Sequence, residues 1–187
     1  MHVMKRAVPG LLALAAFGAG SASAQIGLTS NTATVSLTAT KAPTLALSTD
    51  VATATLASIT DNSAANNFTA VNVTTDWNLA TGSSVDLVGW FATPAQALAN
   101  GSDFIPSSKV EGRVGASAFA TFSNGPTPPP GNVGVASGTL VLFSQAVGAG
   151  SFQGTRTDQL DLRLDLTGTT TVAGNYTGTL NLQAVVQ

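Results

Sequence analysis

The chain has 187 residues, no cysteine and one histidine, His2; seven basic residues face nine acidic ones, and charged residues make up only 9% of it. Beyond residue 2 this inventory excludes thiolate nucleophiles, zinc sites built on Cys and His, and Ser-His-Asp triads. Beyond Lys5-Arg6 basic residues are few and never run together, which argues against nucleic-acid binding.

The N-terminus comes first. Lys5 and Arg6 precede an uncharged apolar run from Ala7 to Gly20, and Ala22-Ser23-Ala24 supplies the small residues that a signal peptidase reads. The expectation is a signal peptide over residues 1–24, cut between Ala24 and Gln25. The run is shorter than the roughly 20 apolar residues of a spanning helix and is broken by Pro9, Gly10 and Gly18. Removing it leaves five basic against nine acidic residues. The expected product is a single domain over 25–187, secreted, periplasmic or at the cell surface, with no membrane span.

Within that domain, apolar and polar residues alternate again and again, as they do in half-buried strands. TATVSLTAT (32–40) puts Ala33, Val35, Leu37 and Ala39 on one face, and TLALS follows Pro43. VATATLASI (51–59) is a further candidate strand. TAVNVTTDWNL (69–79) aligns Val71, Val73, Trp77 and Leu79, and SVDLVGWFA from Ser84 is apolar on both faces, as in a central strand. The Thr81-Gly82 turn predicts a hairpin between these two. Thr93-Pro94 before AQALAN and Gly101 predicts one short helix in a loop. ASAFATF (116–122) and GTLVLFSQAV (138–147) are strand candidates, and the Pro-rich NGPTPPPG (124–131) reads as an exposed loop. QLDLRLDL (159–166) turns Leu160, Leu162, Leu164 and Leu166 inward and Asp161, Arg163 and Asp165 outward. YTGTLNLQAVV from Tyr176 closes the chain, with a second hairpin predicted between these last two strands. The sum is an all-β fold, an antiparallel β-sandwich of roughly eight strands.

Few residues invite a chemical role. The stripe Asp161-Arg163-Asp165 has the oxygens for a cation, but Arg163 sits between the acids, so a solvated face with cross-strand pairs is the simpler reading. Trp77 and Trp90 could stack on a sugar; Trp77 shares a core face, which leaves Trp90 as the one possible ligand contact. No catalytic, cofactor or metal residue is expected, and no pair of acids is placed to hydrolyse glycosides.

The stretch Ala173-Gly174-Asn175-Tyr176-Thr177-Gly178-Thr179-Leu180-Asn181-Leu182 resembles the closing hairpin of exported bacterial sandwich proteins of the spore-coat-U-like and fimbrial-subunit-like type. It is also similar, more weakly, to WxL surface domains, although Trp77-Asn78-Leu79 is the chain's single Trp-x-Leu and fimbrial subunits commonly carry a disulfide that is missing here. The resemblance implies an immunoglobulin-like sandwich at the cell surface. The expected function is non-enzymatic: a secreted structural or assembly protein, an appendage or coat-type subunit, self-associating or meeting related subunits by β-edge pairing. The segment Ile26 to Thr40 either donates a strand to a neighbour or completes its own sheet. The alternative is an extracellular carbohydrate-binding or adhesive module that uses loops 93–109 and 123–137.

Overall fold

The computed structural model describes residues 34–123, 125 and 130–187, so the signal-peptide expectation and most of the Pro-rich loop lie outside the described residues. The chain divides into two units, 1–39 and 40–187. Of the first, residues 34–39 are described; they carry no strand, and Val35 and Leu37 are 81% and 91% exposed. The strand expected over 32–40 is therefore not formed in its described part.

The second unit is all β, and its strands all pair antiparallel. In chain order they are β1 (Thr44–Thr49), β2 (Asn66–Asn67), β3 (Val71–Asn78), β4 (Ser84–Trp90), β5 (Leu98–Asn100), β6 (Asp103–Ile105), β7 (Val110–Val114), β8 (Ala120–Thr121), β9 (Thr139–Ala146), β10 (Gln153–Leu164) and β11 (Asn181–Val186). Sheet A runs β1-β3-β10-β7-β8, with β2 also on β10; sheet B runs β11-β4-β9; β5 and β6 form a separate hairpin. Among the described residues helix is confined to short 3-10 turns, one of them at Pro94–Gln96, within the segment where one short helix is expected.

Alternation sets the core. From β3 come Val71, Val73, Thr75 and Trp77, from β10 Leu160, Leu162 and Leu164, and sheet B supplies Val85, Leu87, Leu140 and Leu142, all buried. β4 is central in its sheet, as its two apolar faces require. Phe122, fully buried, fills the space between the sheets where two glycines make room for its ring. A Cβ on Gly89 of sheet B or Gly112 of sheet A would come within 3.0–3.1 Å of it. Phe91 meets the same ring edge-on, 5.1 Å between centroids.

Several expectations are corrected. The two predicted hairpins are not hairpins: β3 and β10 are neighbours in sheet A, whereas β4 and β11 are neighbours in sheet B. Each connection crosses from one sheet to the other. Period-two patterning fixes which face of a strand is buried, but a sandwich offers two sheets with the same requirement. The 51–59 segment is irregular, and the 116–122 strand shrinks to Ala120–Thr121. The last strand begins at Asn181 rather than Tyr176; ahead of it a single bridge joins Thr177 to Ala99.

Candidate functional site

The features that stand apart from the packed core lie along one open side of the sandwich. There the free edge of sheet A, continued beyond β1 by residues 51–61, runs opposite residues 171–182, which lead into β11. Between them is a groove in two connected parts. The near part, about 480 Å³, runs from Thr49 and Leu182 to Tyr176 and is floored by Phe91, Leu160 and Leu162. The far part, about 630 Å³, continues to Asp61 and Thr171 and includes Ser58 and Asn175. Large apolar side chains line both parts, Leu56, Ile59, Phe68 and Leu164 among them in the far part, where the exposed Ser58, Asp61 and Asn175 add polar groups. Protein interiors pack without such voids, and the apolar residues along this one show the shortfall: Leu56, Ile59, Phe68, Leu180 and Leu182 are only half-buried although they pack on the core.

Each wall is anchored on one side. Asp50 N–H donates to Asn72 O (3.1 Å) and Thr69 N–H to Thr55 O (2.8 Å), so five residues span what three span on the neighbouring strand, and residues 51–54 bulge outward. Opposite, Thr177 and Ala99 exchange two hydrogen bonds of 2.8 and 3.0 Å. Gly178 is required there, because a Cβ would sit 1.9 Å from Ala97 O. Asn66, 4% exposed, secures the far end: its Oδ1 accepts from Thr60 N–H (2.6 Å), and its Nδ2 donates to the carbonyls of Thr60 and Ser63 (both 3.1 Å). Asp61 Oδ1 accepts from Thr171 N–H (2.9 Å) and its hydroxyl (2.8 Å), tying the two walls together at that end. At the near end Asp50 is tied to Asn72 of β3, and the Asn72 side-chain amide and N–H hold the Asp50 carboxyl below the usual carboxylate range.

Tyr176 stands where the two parts of the groove meet. Its ring is half-buried, and its hydroxyl donates to Val172 O at 3.1 Å, a backbone partner four residues upstream, as in a tyrosine corner.

The residues singled out by sequence fall elsewhere. Asp161 and Arg163 face outward on sheet A. Asp161 accepts from Arg113 (3.0 Å), Arg163 donates to Glu111 (2.5 Å), and both guanidiniums stack on Phe119, at 4.4 and 4.1 Å from its ring centre. This is the cross-strand pairing of the simpler reading, with an aromatic plate between the two arginines that the pattern did not reveal. Asp165 accepts from Thr167 N–H, and the hydrogen bonds of Thr167 hold its carboxyl below the ordinary range. No group of three metal-type ligands occurs among the described residues.

Trp77 is buried in sheet A, its Nε1 donating to Ser151 O at 2.9 Å. Trp90 is half-buried at the end of β4 in sheet B, its carbonyl accepting from Asn181 Nδ2 at 3.4 Å. The two indoles therefore do not form one platform. No helix among the described residues is long and apolar enough to cross a membrane. No protein-family model matches the chain, and no curated protein matches it.

Sequence reasoning missed the groove, Asn66 and Asp61. The signal that bore on it was in view: two segments with strand-like alternation, 51–59 and 177–180, that belong to no ladder.

Proposed function

We propose that the protein is an exported, non-enzymatic structural subunit that assembles by β-edge pairing, its sandwich completed by a strand from the alternating segment 26–40 of a neighbouring copy. The observation that supports this reading is the groove between residues 49–61 and 171–182, an apolar slot with strand-like walls and no strand in it. An added strand satisfies backbone groups along such an edge and buries alternate side chains below it. The segment has the matching form: Ala33, Val35, Leu37 and Ala39 recur every second residue, and Val35 and Leu37 are exposed where described. Export rests on the charged, apolar and small-residue blocks of residues 1–24, with cleavage between Ala24 and Gln25.

Light scattering across a concentration series tests the assembly. The full chain forms oligomers or fibres as concentration rises, and a chain lacking residues 25–40 stays monomeric. A peptide spanning residues 26–40 then raises the melting temperature of the truncated protein. A full-length chain that stays monomeric at every concentration, together with a peptide that leaves the melting temperature unchanged, removes the assembly reading. N-terminal sequencing of exported protein tests the cleavage site.

A further inference from the structure

Sheet A has a second free edge, away from β1. β7 pairs with β10 only from Leu160 to Leu164. The first half of β10, Gln153 to Gln159, therefore has β3 on one side and, among the described residues, no strand on the other. Gln159 O accepts from Gly115 N–H (3.0 Å) on that open side, and in an antiparallel ladder every second residue turns its backbone groups the same way. The N–H and C=O groups of Thr155 and Thr157 thus face outward along the edge, and no backbone group among the described residues bonds them. Such an edge is a template for another strand.

Two charges stand beside it where alternation calls for none. Arg156 and Asp158 share the face of Leu160, Leu162 and Leu164, and their register partners on β3, Thr75 and Val73, are both buried in the core. Arg156 Nε and Nη2 both donate to the Asp158 carboxylate, the second at 3.1 Å. The guanidinium lies 4.2 Å from the centre of the Phe143 ring on β9. The pair sits in the mouth between the two sheets, its side chains 32% and 15% exposed. Stability does not account for it. Ion pairs with such access to water contribute little, and well-packed apolar residues in their place are often neutral or stabilising.

We infer that the Arg156–Asp158 pair keeps this edge closed to a second copy of the chain. Two copies meeting here would join the same edge about a two-fold axis, with Thr155 and Thr157 supplying the ladder. That ladder would extend sheet A across the mouth and take the pair out of water. Desolvation of two charges opposes the few hydrogen bonds gained, so the edge stays single. Inward-pointing charge is one of the ways a sheet edge is kept from pairing. Without the pair, residues 153–160 would form an uncharged alternating strand, the kind that pairs edge to edge. This edge lines neither part of the groove, and its closure holds whatever fills the groove.

The test is the double variant Arg156→Leu, Asp158→Val. Its control is Thr155→Leu, Thr157→Val, which puts the same two apolar side chains on the exposed outer face of the same edge and leaves the ion pair intact. Sedimentation velocity sizes the full chain, NMR hydrogen exchange reads the amides of residues 155 and 157 singly, and circular dichroism checks the fold. In the parent both amides exchange freely at every concentration. In the Arg156/Asp158 variant they slow by about ten-fold or more as concentration rises, and species larger than the parent's appear. The control behaves as the parent does. Protected amides at 155 and 157 in the parent overturn the inference. So does a variant that matches the parent in size and exchange, or a control that associates as readily as the variant. If the apolar variant does not fold, Arg156→Gln with Asp158→Asn, uncharged and of similar size, replaces it and is read by the same outcomes.

Discussion

Asn66 shows how much of the open side depends on single side chains. It is buried, and its amide satisfies three backbone groups of the loop that turns back toward Asp61. Asn66→Ala leaves the Thr60 N–H without its acceptor, so a loss of about 1–3 kcal/mol is expected in equilibrium denaturation. Thr75 presents the opposite case. It is 1% exposed, points into the core from β3, and its Oγ1 has no hydrogen-bond partner among the described residues. Thr75→Val keeps the shape and removes the orphaned hydroxyl, so a variant as stable as the parent or more stable, by up to about 1–2 kcal/mol, is expected from the same measurement. Tyr176 is graded between them. Its hydroxyl bond to Val172 O is solvent-accessible, so Tyr176→Phe costs only about 0.5 kcal/mol. Tyr176→Ala costs less than the roughly 3–5 kcal/mol of a fully buried aromatic, because the ring is already half-exposed.

At the scale of elements, two carboxylates tie segments together on the surface. Asp50 bonds Asn72 across to β3, and Asp165 bonds Thr167 at the turn after β10. Both carboxyls titrate below their ordinary value in the folded chain. A depressed folded pKa contributes stability that is fully present above the unfolded value of about 3.9 and is lost as pH falls through the folded value. Melting temperature measured from pH 7 downward is therefore flat with respect to these two groups until about pH 5, and then falls. Asp50→Asn flattens part of that fall; an acid limb identical to the parent's would remove Asp50 from the account. On the outer face of sheet A, the Arg113–Asp161 and Arg163–Glu111 pairs are about one-quarter to one-third exposed at their arginines. Exposed pairs of this kind contribute roughly 0–1 kcal/mol, and the Phe119 plate is what links them. A double-mutant cycle on Arg113 and Phe119 is expected to return a coupling of about 0.5–1 kcal/mol.

For the whole molecule, an all-β sandwich follows from local rules that the sequence states openly. Leu160, Leu162, Leu164 and Leu166 are all buried, as their spacing requires, and so are Val71, Val73 and Trp77. Thr and Val suit the pleat, Gly and Asn suit the turns, and the missing helical period leaves one fold class. By itself the sequence also determined the chemistry that is out of reach, since no Cys and no His beyond residue 2 are available. Only the tertiary structure decided which sheet each strand joins. β3 and β4 are adjacent in the chain but separate in space, because either sheet buries an alternating strand equally well and the choice is made by non-local partners such as β10. The same holds for the groove. Residues 51–59 and 177–180 carry strand-like alternation, yet a strand exists only where a neighbour supplies the other half of the ladder. That neighbour is a property of the assembled fold, which is why the open side of the sandwich was invisible until the edges could be seen facing each other.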